Sequence, residues 1–326
     1  MLDLAAEAAT GLRPAQLLGI PLALAGAVLM SIGALYQHRG VTKVEEASGS
    51  KAVSGLSARQ LGRLVSRPSW VVGTTLLCLA VVLQLASLAF APLIVVQPLG
   101  VASLVLTTLL TARITGIPLR RNKRLAVGLC VGGVGAFVTT AGFVAAEAPV
   151  TDARIVVVLV VLGFVVCALI ALFAALRRRF KALFFIMSAG VVYGFVATLS
   201  KIIITRFQQG EADALTFVCL AAAIGGTAVG AYCVQTAYAS GPPDLVVAGL
   251  TVIDPIVAVV IGIAVLGEAD HAPWYVLPVF LVTGALAVWG VFLLERGQTA
   301  QEIERARAHA LSRGRSARGC SAEDTR

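Results

Sequence analysis

The sequence predicts an all-α polytopic membrane protein, with about nine transmembrane helices in two unequal inverted repeats. Three observations predict it. Of 326 residues, 58% are hydrophobic and 13% charged, against roughly 25% charged in soluble domains. Mean hydropathy is +0.91. Apolar runs recur along most of the chain at about the 20-residue length that crosses a hydrocarbon core. The runs are continuous rather than alternating, so they predict helices, which satisfy their own backbone groups in lipid.

Taken in order, the predicted spans are 16–37, 69–91, 92–112, 125–146, 154–176, 182–205, 214–238, 243–267 and 272–294. The first is no cleavable signal peptide on its face, because its positive charges follow the apolar core instead of preceding it. Residues 16–294 form the transmembrane domain, with a first half at 16–146 and a second at 154–294. The N-terminus, 1–15, is extracytoplasmic in this reading. Residues 38–68 form a polar cytoplasmic linker lying along the headgroups, with the amphipathic stretch SARQLGRLVSR. Residues 295–326 form a charged cytoplasmic tail that begins helix-prone and ends in the disorder-like GRSARGCSAEDTR.

The basic residues test the count. Segment 38–68 holds six Lys or Arg, 113–124 five, 177–181 four and the tail seven, all on one side of a nine-span chain. The opposite side receives Arg13, Arg154 and Arg206, a split of 22 to 3 with Lys201 inside a span. Positive loops face the cytoplasm, so the N-terminus faces out and the C-terminus in, at the cell membrane. The net charge of +9 then reflects topology and contact with the anionic lipid bilayer, and calls for no nucleic acid. Six scattered cysteines, five of them in spans, make neither a disulfide framework nor a metal spacing.

An internal repeat supports two halves. QLASLAFAPLIVV (84–96) aligns with QTAYASGPPDLVV (235–247) at an offset of 151 residues, pairing Gln84 with Gln235 and Pro92 with Pro243. The two turns fall on opposite sides of the membrane, which makes the copies inverted, a signature of secondary transporters.

The chemistry of the spans centres on Asp254. A charge at mid-bilayer costs about 3 kcal/mol on insertion scales and survives where it faces a polar interior. Asp254-Pro255 reads as a substrate or coupling-ion ligand, including a metal ligand. It also reads as an N-cap followed by a first-turn proline. The two combine in a helix broken at Pro255, with Pro98 the matching break in the first half. Lys201 either snorkels to the outer interface beside Arg206, or joins the binding site as a partner for Asp254 or a ligand for an anionic group. Gln84, Gln97, Ser103, Tyr193, Tyr232, Gln235, Tyr238 and Thr251 lie in or at the edges of spans. They serve as interhelical packing groups or line a central cavity.

Catalysis is not expected. The chain has no P-loop, no HExxH and no GxSxG, and His38, His271 and His309 stand far apart. No cofactor is expected beyond Mg²⁺ or H⁺ as the transported or coupling ion.

LQLASLAFAPLIVVQPLGVASLVLTTLLTARITG (83–116) and VQTAYASGPPDLVVAGLTVIDPIVAVVIGIAVLGE (234–268) resemble the paired third and fourth helices of each half of the drug/metabolite transporter superfamily, the EamA-like group. FAPLIVVQPLGVASLVLTTLL, SIGALYQHRGV (31–41) and FVATLSK (195–201) are similar to stretches of the NIPA-type branch, described as magnesium transporters. The resemblance implies a secondary transporter working by alternating access, and is compatible with a homodimer. One departure is Gln84, near which NIPA-type proteins tend to carry an acidic residue; it counts against cation transport. Mg²⁺ prefers oxygen ligands with one or two carboxylates. A proton-coupled exporter of a small amphipathic metabolite therefore stands as the rival reading. A non-transporting membrane scaffold is the third, favoured by an apolar cavity and by an Asp254 that meets only backbone.

Overall fold

A computed structural model describes residues 16–48, 68–116, 121–145, 149–176, 181–240, 243–270 and 272–294. The expected N-terminus and tail, and residues 49–67 of the expected linker, lie outside the described residues. The protein is an all-α multi-pass membrane protein. Nine helical spans among the described residues are long and apolar enough to cross a membrane. The helices are α1 (Gln16–Ser48), α2 (Pro68–Leu88), α3 (Leu93–Gly100), α4 (Ala102–Thr115), α5 (Arg121–Val144), α6 (Asp152–Leu176), α7 (Lys181–Gln208), α8 (Ala214–Ser240) and α9 (Pro243–Ala264). A last helix, α10, covers Val276–Leu294.

The first span is Gln16–Gln37, as expected, and its helix α1 continues to Ser48. One expectation is corrected: Pro98 and Pro255 behave differently. The third span divides at Val101 into α3 and α4. Hydroxyls take the carbonyls near this break: Ser103 Oγ donates to Gly100 O at 2.8 Å, and Ser31 Oγ of α1 donates to Ser103 O at 2.7 Å. By contrast, α9 runs unbroken through Pro255, so Asp254 is not a mid-membrane N-cap. A proline strips the carbonyl four residues back of its donor, but a helix packed tightly in a bundle tolerates that. Gly116, at φ 65°, ends α4 in the left-handed conformation.

Packing follows one scheme twice. α1 lies against α2 and against α3 and α4; α7 lies against α8 and α9. Small residues let these backbones approach. A Cβ on Gly33 of α1 would stand 3.0 Å from the Gly73 carbonyl of α2, and one on Gly230 of α8 would stand 2.7 Å from the Tyr193 ring of α7. Across the two groups, α3 touches α9. α5 meets α10 backbone to backbone, where a Cβ on Gly133 or Gly290 would stand 2.5 Å from the amide of Ala287 or Cys130. Phe137 and Phe280 stack beside that crossing at 4.8 Å. The correspondence therefore runs α1, α2, α3/α4, α5 against α7, α8, α9, α10. α6 stands outside it, with few contacts and exposed Val160, Phe164 and Ile170.

Candidate functional site

The interior polar groups fall into three places. The first is the crossing of α7 and α9. Gly190 and Gly194, one turn apart, present bare backbone to Ile253, Asp254 and Val257. A Cβ on Gly194 would stand 2.7 Å from Val257 Cβ and 3.0 Å from the Asp254 carbonyl. Asp254 is thereby carried into the bundle, and its Oδ1 is buried with no hydrogen-bond partner among the described residues. The residue keeps partial exposure overall. Tyr193 lies close enough to interact electrostatically with it. A desolvated carboxylate oxygen without a donor is costly in free energy and can accept a cation, a proton or a hydrogen-bond donor.

The second place is the tight turn between α2 and α3. Lys201 Nζ donates to Leu88 O at 2.7 Å, the last carbonyl of α2, and to Ala91 O at 3.1 Å in the turn that follows. Glu268 accepts from Leu93 N at 2.7 Å and Ile94 N at 2.8 Å, the first amides of α3. Each charge meets the complementary end of a helix. Lys201 is buried, so it does not snorkel. Its ammonium is engaged with the carbonyls of the α2–α3 turn. Glu268 was not singled out from the sequence. What aims it is the end of α9: Gly267 turns left-handed at φ 71°, and Glu268 N–H bonds back to Gly262 O at 3.0 Å. The signal in the sequence was the LGE that closes the span.

The third place lies at the same end of the bundle. Buried Arg206 binds Asp152 at 2.6 Å, Glu211 at 2.7 Å and Asp213 at 2.7 Å, joining the starts of α6 and α8 to the end of α7. Asp213 also caps α8, accepting from the Thr216 amide at 3.0 Å and hydroxyl at 2.8 Å. Those two bonds, then Arg206, hold its carboxyl down at about 2 from the usual 3.8. Arg154 donates to the Leu266 carbonyl and pairs with Asp270 at 3.1 Å.

The remaining expected residues scatter. Gln84 reaches the α3/α4 break, its Nε2 4.0 Å from where a Gly100 Cβ would stand. Gln97 is half-buried on α3, Ser103 belongs to the break, and Gln235 is exposed on α8. A cavity of about 460 Å³ opens between the α3/α4 break, α5, α9 and α10. Thr251, Pro98 and Pro255 line it, among valines, isoleucines and Phe137. Gln84, Gln97, Ser103, Tyr193 and Gln235 do not line it, nor does Asp254, which faces α7 from the other side of α9. Among the described residues no group of three or more His, Cys, Asp or Glu is placed to hold a metal.

No family profile matches the chain, and no solved structure does. Residues over 38% of the chain are 28% identical to the probable magnesium transporter NIPA4 of Arabidopsis thaliana, of which they cover 34%. The uncharacterized protein Cgl0250/cg0304 of Corynebacterium glutamicum is 30% identical over 260 residues, 78% of this chain and 86% of that protein. At that identity over most of both chains, this chain belongs to the same family as that Corynebacterium glutamicum protein.

Proposed function

We propose that the protein is a secondary transporter of the drug/metabolite type, with Asp254 as the ligand for a cationic solute and the two groups of four helices rocking about it. The observation that carries this reading is the partnerless, buried Asp254 Oδ1 at the α7–α9 crossing. A purely structural carboxylate would have acquired a donor, since buried polar groups nearly always do. Mg²⁺ is the first candidate, because the partial similarity is to a protein named a probable magnesium transporter. With one carboxylate at the site, Mg²⁺ would travel with most of its waters, the habit of that ion in proteins. The cavity on the far side of α9 is apolar apart from Thr251; it suits the apolar part of a small amphipathic amine exported against protons, the second reading, and it equally meets the cavity condition set for the scaffold. The basic loops orient the chain with its N-terminus outside and its C-terminus in the cytoplasm.

The test is uptake of Mg²⁺, and separately of a panel of amines under a proton gradient, into proteoliposomes holding the wild-type chain or Asp254→Asn. The expected result is uptake of one class by the wild type, lost in Asp254→Asn while the variant stays folded in the membrane. Unchanged transport in the variant sinks the site. Transport of nothing in either, with no shift of melting temperature by any solute, leaves the scaffold reading.

A further inference from the structure

The turn that joins α2 to α3 is held by residues of the other four-helix group. Its carbonyls at Leu88 and Ala91 accept from Lys201, and its amides at Leu93 and Ile94 donate to Glu268. Gln208 Nε2 adds a bond to Ala89 O at 3.1 Å. Lys201 and Gln208 stand on α7, and Glu268 follows α9. We propose that this turn is the gate at its end of the bundle, and that Lys201, Gln208 and Glu268 are the latch that holds it shut in this conformation.

Three features argue for a moving seal over a static brace. The contacts to the turn's backbone are polar, although its side chains Leu88, Ala91, Leu93 and Ile94 are buried in the apolar core. All five bonds run from a side chain to a backbone group, so water entering an opened end replaces each of them in kind. The α5–α10 contact between the groups is of the opposite sort. At the α5–α10 crossing bare backbone interlocks at Gly133 and Gly290, with no side chain able to swing away. That crossing is the pivot, and the turn is the part that parts. Finally, the gripped segment is a short lever. α3 is eight residues long, bounded by Pro92 at the turn and by the break at Val101. Gln97 rides on it, one turn below the latch. Buried charges hold firmly when paired and are destabilising when half-paired, which favours fully latched and fully open states over anything between.

This inference rests on the transport reading, and one experiment separates the two. A Gln97→Cys reporter is labelled with a membrane-impermeant maleimide, in intact cells and in inverted vesicles, with the Gln97 chain as background. Glu268→Gln and Lys201→Met are each added to it. The expected result is reciprocal: labelling rises about tenfold or more from the latch face, as loss of a charge-assisted pair of bonds should give, and falls from the opposite face. Gln208→Ala, on an exposed side chain, shifts labelling the same way by a smaller factor and serves if Glu268→Gln fails to accumulate. A rise at the latch face alone would mean local loosening and overturn the gate, as would no change at either face. Reciprocal labelling together with unimpaired transport in Asp254→Asn would leave the gate standing and remove the site.

Discussion

Gly194→Ala offers a quantitative check on the α7–α9 crossing that carries Asp254. The added methyl would stand 2.7 Å from both Val257 Cβ and Cγ1 and 3.0 Å from the Asp254 carbonyl. Comfortable carbon contacts need about 3.5–4.0 Å, so the helices must separate by about 1 Å. Rotating Val257 brings no relief, because its Cβ is itself one of the clashing atoms. Separation also loosens the neighbouring contact, where a Cβ on Gly190 would lie 2.7 Å from Ile253 Cβ. Overpacking of this kind costs about 1–3 kcal/mol. Gly163 on α6 is the control, with nothing within 4 Å of its added methyl. There, Ala replaces Gly in a helix interior and should gain up to about 1 kcal/mol. Unfolding of the detergent-purified variants should therefore move in opposite directions, and Gly194→Ala should also slow transport. If Gly194→Ala proves as stable as Gly163→Ala, the close crossing is wrong, and with it the argument for why Asp254 sits where it does.

Asp254→Asn should unfold no more easily than the wild type, and about 1 kcal/mol less easily if the orphaned oxygen is a liability to folding; a large destabilisation would mark a structural carboxylate. Arg206→Met should cost about 2 kcal/mol in the same unfolding assay, less than a fully buried pair because its three partners remain hydrated. Asp213 has a folded-state value depressed to about 2. Its contribution is complete above about pH 4 and is lost as pH falls through the folded value. The acid limb of a melting-temperature profile should therefore flatten in Asp213→Asn.

The spans were legible because lipid enforces one solution on the backbone, and continuous apolar runs declare it. The prolines were not. Pro98 and Pro255 look alike in sequence. What separates them is that the first has Ser31 and Ser103 at hand to take carbonyls at a break, while the helix carrying the second is held straight through Ile253, Asp254 and Val257, which pack on glycines of another helix. Asp254 stood out because a carboxylate in an apolar run is visible by itself. The roles of Lys201 and Glu268 were hidden for the opposite reason. Their partners are backbone groups 110 to 175 residues away, and a backbone amide carries no letter in the sequence. Arg206 was hidden for a different reason: Glu211 and Asp213 share the loop just after it, but Asp152 comes from a separate segment 54 residues away.

The poorly packed α6 has a consequence out of proportion to its contacts. Each of the two matched groups crosses the membrane four times, an even number. Joined directly, both would enter from the same face and lie parallel. One intervening crossing reverses the second group, so α6 acts as a parity switch. It allows a tandem duplication of a four-helix unit to yield an antiparallel pair in one chain, without an ancestor that inserted both ways. Its lipid-facing surface is then free to drift, provided its length and greasiness are kept. Excising it should turn half the protein upside down while removing hardly any of the packing.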